Sequence, residues 1–140
     1  MNPIDYVSND IYMAHPMSAG VTENHQKLFN LVKSSLREIG YLVIDPSEWE
    51  ISTDPNLEDP NLAFQRNVVS IANSKLMVAV CTGPSIGLGG EFVLAAAMRK
   101  YIISYFPNKK FRPAWSVMHS DELVYTMTGL LSIIEDYLRR

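Results

Sequence analysis

The chain has 140 residues, of which 47% are hydrophobic and 19% are charged. That length suits one compact domain with a single core, and that composition excludes a disordered chain. The formal net charge of −3, without any basic stripe along the sequence, argues against a nucleic-acid partner. A mononucleotide needs only one or two anion sites, so this charge leaves it open as a ligand.

Cysteine usage and the absence of export signals indicate a cytoplasmic protein. Cys81 is the only cysteine, so no intramolecular disulfide can form, which suits a reducing compartment. The N-terminus shows no charged leader followed by an apolar run and a cleavage site. The longest apolar stretch, residues 76–81, is too short to span a bilayer. We therefore expect one cytoplasmic domain over residues 1–140 with no membrane partner.

The first part of the chain alternates strand and helix signals. Residues 10–14 are typical of a short buried strand, closed by His15-Pro16. Residues 22–39 are predicted to form an amphipathic helix, with Gly40 as its left-handed C-terminal residue. Its apolar residues recur at spacings of three and four: Leu28, Leu31, Val32, Leu36 and Ile39. Residues 41–45 then predict a second strand, so the order β-α-β favours a parallel pair.

The rest of the chain continues the alternation. Residues 46–61 indicate a surface loop, with a short helical turn near residues 47–49. A second helix is predicted over residues 62–74, with an inner face made of Phe64, Val68, Ile71 and Ala72. Residues 76–81 follow as a strand without polar alternation, which implies burial on both faces.

The last predicted elements are a helix, a strand and a final helix. The first of these spans residues 91–100 and is entered directly from a glycine-rich loop at residues 82–90. A strand follows over residues 101–106. Ser120 is the predicted cap of a helix over residues 121–138, with Asp121 and Glu122 in its first turn. The whole pattern predicts a single-domain α/β protein, a flavodoxin-like or Rossmann-like three-layer sandwich with a mainly parallel sheet.

Ligands of such sheets bind beyond the carboxyl ends of the parallel strands, which selects three segments here. They are residues 14–20, the loop after Asp45, and residues 82–91. In the last, a carboxylate, Glu91, follows glycines that let backbone amides approach a ligand, and Ser85 adds a hydroxyl donor. The alternative is that Glu91 only complements the helix dipole.

The other two segments allow two interpretations each. Ser18 and the amides around it could hold an anion, or the segment could be an ordinary turn between a strand and a helix. Trp49 could stack on a base, or it could be a local hydrophobic plug. His15 has no cysteine or second histidine at ligand spacing, so no metal site is expected.

Two of these segments resemble the nucleoside 2-deoxyribosyltransferase superfamily, and most of all its 2′-deoxynucleoside 5′-phosphate N-hydrolase branch. Residues 11–20, Ile-Tyr-Met-Ala-His-Pro-Met-Ser-Ala-Gly, look like that family's opening strand and phosphate loop. Residues 84–91 match its catalytic run Pro-Ser-x-Gly-x-Gly-x-Glu, which ends in the nucleophilic glutamate. The similarity runs in order over residues 11–118, most of the chain.

The resemblance implies chemistry at C1′ of a deoxyribose, in a homodimer or higher homo-oligomer whose sites are shared between subunits. It implies that Glu91 is the nucleophile, that Tyr12 lies by the sugar and that Ser85 binds phosphate. Ser116 resembles a serine that the neighbouring chain supplies. The remaining substrate-binding residues expected from the matching segments are Ala14, His15, Met17, Ser18, Gly20, Gly87, Gly89 and Met118, beside Trp49. No cofactor or metal is implied.

The sequence departs from the family at two positions. Asn67 stands where the family has an aspartate that helps to protonate the leaving base, and Ser18 stands where the hydrolases have a phosphate-loop arginine. An amide can hold a base by hydrogen bonds but cannot donate a proton as a carboxylic acid does.

From the resemblance, the leading hypothesis is an N-glycosidase or base transferase acting on a nucleoside or its 5′-monophosphate. The alternatives are a catalytically weakened nucleotide-binding module with the same pocket, and a structural subunit.

Overall fold

The computed structural model describes residues 9–17, 20–48 and 60–139. Its five strands are β1 (Asn9–Ala14), β2 (Val43–Ile44), β3 (Ser74–Val80), β4 (Tyr101–Tyr105) and β5 (Glu122–Val124). They form one sheet in the order β2-β1-β3-β4-β5, and every neighbouring pair is parallel. This is the flavodoxin-like order, so the predicted α/β sandwich with a parallel sheet is confirmed.

The helices of the described chain are α1 (Glu23–Ile39), α2 (Pro60–Ala72), α3 (Ile86–Ala97), α4 (Ala114–His119) and α5 (Met127–Leu138). A short 3-10 turn lies at Pro46–Glu48, close to the turn predicted there. Gly40 ends α1 with φ of 111°, which confirms the predicted left-handed position. Within the described segments, no helix combines the length and the apolar character needed to cross a membrane.

The two faces of the sheet carry two separate cores, because side chains of a strand alternate between faces. Ile11 and Met13 point to the face covered by α1 and α5. Tyr12 and Ala14 point to the face covered by α2 and α3. Strand β3 is buried from Leu76 to Val80, as predicted, because it has a neighbouring strand on each side and helices on both faces. This alternation places Tyr12 on the same side of the sheet as α3.

The inner faces of α1 and α2 differ from the predicted ones. The buried residues of α1 are Phe29, Val32 and Leu36, whereas Leu31 is 52% exposed and Ile39 55% exposed. On α2, Ile71 is buried, but Phe64 is 58% exposed. Apolar spacings of three and four fit more than one helix face. Periodicity alone therefore assigned some exposed residues to the buried faces of α1 and α2.

The predicted helix over residues 121–138 begins too early. Helix α5 starts at Met127, and Thr126 is its N-cap, accepting a hydrogen bond from Gly129 N at 3.0 Å. Ser120 is not a cap, because its hydroxyl donates instead to the Ser116 carbonyl of α4 at 2.5 Å. Neither α4 nor β5 was predicted.

The acidic residues that suggested an early helix start belong to the edge of the sheet. The Asp121 carboxylate accepts a hydrogen bond from Ile102 N at 2.7 Å, and Asp121 N donates to Ile102 O at 2.8 Å. Glu122 then pairs with Ile103 in the β4–β5 ladder. Acidic residues in the first turn of a helix and at the start of an edge strand look alike in sequence, and here the strand pairing determines the structure.

Candidate active site

Helix α3 begins at Ile86, so the predicted glycine-rich loop is shorter than expected. Ser85 is the N-cap, and its hydroxyl accepts a hydrogen bond from Leu88 N at 3.1 Å. Gly87, Gly89 and Gly90 are therefore helical, and Glu91 lies in the second turn rather than the first. Because the helix dipole acts mainly within the first turn, it does not account for Glu91.

Glu91 lies on the buried face of α3. The buried residues of that helix are Leu88, Glu91, Phe92 and Ala95, and their spacing of three and four makes one stripe facing the sheet. Glu91 is only 9% exposed. Burying a carboxylate among apolar side chains is costly, and such perturbed groups concentrate at functional sites.

Two helical glycines near Glu91 are not required by the fold. In the described chain the positive-φ glycines are Gly20 and Gly40, so Gly87 and Gly90 have ordinary backbone angles. A Cβ at Gly90 would meet nothing within 4 Å, and one at Gly87 would meet only Ser85 Oγ, at 3.8 Å. A glycine inside a helix costs about 1 kcal/mol relative to alanine. The missing side chain of Gly87 therefore keeps space open next to Glu91.

That space is a cavity of about 280 Å³ at the carboxyl edge of the sheet. It draws residues from the ends of β1 and β2, from α2 and from α3. Six of the predicted site residues line it together with Pro46 and Leu88: His15, Met17, Asn67, Ser85, Gly87 and Glu91. The cavity adjoins the β1–β3 pair, where the order of the sheet reverses and where ligands of such folds bind.

Tyr12 and Glu91 face each other beside this cavity. Tyr12 is fully buried, and among the described residues neither its hydroxyl nor Glu91 Oε2 completes a hydrogen bond of standard geometry. Burial raises the pKa of the Glu91 carboxyl to about 7, against the opposing effects of Tyr12 and His15. Burial and the nearby Glu91 both raise the pKa of Tyr12, so its hydroxyl stays protonated. The pair combines a neutral donor with a carboxylate that titrates near neutral pH.

His15 is joined to Asp45, a residue that the sequence did not single out as part of the site. His15 Nε2 lies 2.8 Å from Asp45 Oδ1, and Nδ1 lies 3.0 Å from the Pro16 carbonyl. Lys33 Nζ donates to Asp45 Oδ2 at 2.9 Å. Burial acts to raise the pKa of Asp45, but the hydrogen bonds from His15 and Lys33 outweigh it and hold that pKa well below its ordinary value. The only sequence signal for Asp45 is a carboxylate at the end of an apolar run, before Pro46.

Two other predicted site residues, Ala14 and Gly20, do not line the cavity beside Glu91. Ala14 is buried in the core at the end of β1. Gly20, with φ of 102°, lines a separate cavity of about 120 Å³ beside Thr82 and Gly83. Ser18 and Trp49 lie outside the described residues.

A larger cavity of about 400 Å³ opens on the other side of the N-terminus of α3. Gly89 and Ser116 line it, and the Ser116 hydroxyl is buried there with no hydrogen-bond partner in the part of the chain that the structure describes. Met118 is 79% exposed and lines neither this cavity nor the one beside Glu91. Within one chain, Ser116 and Met118 thus do not reach Glu91. In the described part of the chain, no group of three or more His, Cys, Asp and Glu side chains could hold a metal ion.

No family model and no curated protein matches the sequence. Among solved structures, a conserved protein from Enterococcus faecalis V583 matches 94% of this chain and 99% of its own, with a TM-score of 0.75 at 14% identity. A 2-deoxyribosyltransferase from Bacillus psychrosaccharolyticus matches 86% of this chain and 89% of its own, with a TM-score of 0.75 at 15% identity. A CMP N-glycosidase from Clostridium botulinum matches 91% of this chain and 98% of its own, with a TM-score of 0.60 at 18% identity. The chain therefore shares the fold of a 2-deoxyribosyltransferase and of a CMP N-glycosidase.

Proposed function

We propose that this protein cleaves the N-glycosidic bond of a nucleoside or nucleoside 5′-monophosphate, with Glu91 as the nucleophile. The observation that carries the proposal is the Glu91 carboxylate, which is buried beside Tyr12 on a cavity at the carboxyl edge of the sheet and has one oxygen without a hydrogen-bond partner among residues 9–17, 20–48 and 60–139. The fold shared with a 2-deoxyribosyltransferase and a CMP N-glycosidase supports the same class of reaction. The product is a free base, or a new nucleoside when a second base accepts the sugar.

The chemistry follows from where charge develops. Breaking the bond between C1′ and the base nitrogen builds positive charge on the sugar ring, as in other glycosidases. The ionised Glu91 carboxylate stabilises that charge and bonds to C1′, while the electron pair of the broken bond leaves with the base, which takes up a proton from solvent. Water then attacks C1′, loses a proton to solvent and releases Glu91 as the carboxylate. The nitrogen of a second base can attack in place of water and lose its proton in the same way.

The other residues of the cavity have supporting roles in this proposal. The Tyr12 hydroxyl, which stays protonated, donates toward Glu91 and orients it. Asn67 holds the base by hydrogen bonds. The Ser85 hydroxyl, as a donor, and the backbone amides at the start of α3 bind the 5′ end of the substrate, since a helix N-terminus favours an anion. Ser116 and Met118 act from a second subunit of a homo-oligomer.

The test is release of free base from ribo- and deoxyribonucleosides and their 5′-monophosphates, followed by chromatography. We expect wild type to release base from at least one of them and Glu91→Gln to lose the activity by at least two orders of magnitude, because the nucleophile is gone. Glu38→Gln, which changes an exposed carboxylate on α1, is the matched control and should behave as wild type. Base release that is equal in wild type and Glu91→Gln for every substrate contradicts the proposal.

Asn67 favours a second candidate, a nucleotide-binding module that kept the pocket without the chemistry. Asn67 lines the cavity, and an amide cannot supply the proton that the leaving base needs. General acid catalysis contributes roughly 10²–10⁴-fold, so its loss could leave binding with little turnover. Calorimetry with the same substrates separates the two candidates: tight binding without base release, together with activity gained by Asn67→Asp, supports the binding module.

A further inference from the structure

We infer that His15 is a positioning residue of this site, held as an imidazolium whose fixed positive charge favours the ionised form of Glu91. The inference rests on the proposed function for what an ionised Glu91 does, but the charge of His15 follows from its own contacts. A neutral histidine would have one ring nitrogen without a proton, and that nitrogen would need a donor. The hydrogen-bond partners of the two nitrogens therefore decide its charge.

Both partners of His15 can only accept. Nδ1 lies 3.0 Å from the Pro16 carbonyl, which has no proton to give. Nε2 lies 2.8 Å from Asp45 Oδ1. Asp45 is itself a carboxylate, because it accepts hydrogen bonds from Lys33 Nζ at 2.9 Å and from the Ser47 amide at 2.9 Å. Both nitrogens of His15 must therefore carry protons.

The ring is also fixed in place. His15 is 3% exposed and stacks on Phe29 of α1, with 4.3 Å between the ring centroids. Burial alone would lower the pKa of His15, but the hydrogen bonds to Asp45 and to the Pro16 carbonyl outweigh it and raise that pKa above its ordinary value. The charge therefore stays in one position, on the wall of the cavity that contains Glu91.

Among the charged groups around Glu91, the His15 imidazolium is the main one that favours the ionised carboxylate. Tyr12 of β1 is neutral, and His15, directly after β1, is positive. From the end of β2, Asp45 is negative, but its effect on Glu91 is smaller than that of His15. Lys33 of α1 neutralises Asp45 from the far side, and its Nζ also lies 3.4 Å from Glu48. From α2, the residue on the cavity is the uncharged Asn67. Removing the imidazolium should therefore make Glu91 hold its proton to higher pH.

The charge of His15 can be measured directly in the wild-type protein. The chain has three histidines, so long-range ¹H–¹⁵N spectra assigned with His25→Gln and His119→Gln report the protonation of each ring. We expect both nitrogens of His15 to be protonated at pH 7. A neutral tautomer at that pH overturns the inference, and this measurement requires no variant of the site to fold.

The effect on Glu91 is tested by following its carboxyl ¹³C signal against pH in wild type and His15→Gln, with His25→Gln as control. We expect the midpoint, near pH 7 in wild type, to rise by about one unit in His15→Gln, a tenfold change in proton affinity. The acid limb of base release should move by the same amount, while His25→Gln leaves both unchanged. An unshifted Glu91 midpoint in His15→Gln overturns the inference. Because these titrations require no turnover, they give an answer even if no substrate is cleaved.

Discussion

Glu91 lies on the buried face of α3, where the neighbouring side chains are apolar. Its neighbours on the buried stripe, Leu88, Phe92 and Ala95, all contribute to the core under that face of the sheet. Because burial raises its pKa above the value in the unfolded chain, folding favours the protonated form. The fold therefore loses stability as the pH rises from about 4.5 to about 7. A carboxylate kept at such a cost fits a catalytic role better than a structural one.

Replacing Glu91 with glutamine should remove this pH-dependent cost. Glu91→Gln keeps the shape of the side chain and abolishes its charge, so we expect it to stabilise the protein above pH 7 by up to about 3 kcal/mol and to change little at pH 4. Denaturant unfolding across pH 4 to 9 measures the difference. The exposed Glu38→Gln should show no such trend, and a pH-independent difference for Glu91→Gln would mean that the carboxylate is not buried as described.

The sequence indicated some residues of the site well and others not at all. Ser85, Gly87 and Glu91 lie within one short stretch, so their motif could be recognised without knowing the fold. Asp45 could not be recognised in this way, because its partner His15 lies 30 residues away and the contact depends on β1 and β2 being neighbours. Local sequence patterns thus identify site residues that lie on one element. Contacts between residues on different elements depend on the order of the strands in the sheet.

Helix α3 contains three glycines, which are weak helix formers, in its first two turns, next to the candidate active site. Gly87→Ala and Gly90→Ala should each stabilise the helix, by up to about 1 kcal/mol, since a methyl group meets no backbone at either position. Only Gly87 lines the cavity beside Glu91, so only Gly87→Ala should also weaken substrate binding. Thermal unfolding and the KM for base release measure the two effects. Equal KM values for the two variants would show that the substrate does not contact this turn.

Most elements were predicted from sequence, including the two-residue strand β2, but α4 and β5 were missed. Strands β1 and β3 and helix α1 are at least six residues long, which is enough for a pattern of burial to appear. Strand β5 has three residues and α4 has six, so neither shows a clear period. The start of α3 was misplaced because its glycines suggested a loop, whereas Ser85 caps the helix ahead of them. Capping by a side chain outweighs low helix propensity over the first turn.

The helices on both faces of the sheet expose large apolar side chains, but more of them lie on the face that contains Glu91. Helices α2, α3 and α4 expose Phe64, Ile86, Val93 and Met118 on that face, whereas α1 exposes Leu31 and Ile39 on the other. Ile86 is 97% exposed and Met118 79% exposed. Clustered apolar groups on a surface mark interaction sites more often than isolated ones do. The proposed homo-oligomer would use this face if a second copy of the chain covered these side chains and brought Ser116 and Met118 of one subunit toward the site of the other.

A charge placed on this face should separate the subunits. We expect wild type to have at least twice the monomer mass of 15.8 kDa by light scattering. We expect Val93→Glu to have the monomer mass, because an ionised carboxylate is costly to bury in an apolar interface. Leu31→Glu is the matched control: Leu31 is 52% exposed against 58% for Val93, but it lies on α1, across the sheet. If sites are shared between subunits, Val93→Glu should also lose base release while keeping its fold by circular dichroism, and Leu31→Glu should keep both. If wild type is monomeric at every concentration, the exposed face is not a contact between subunits, and the site must be complete within one chain.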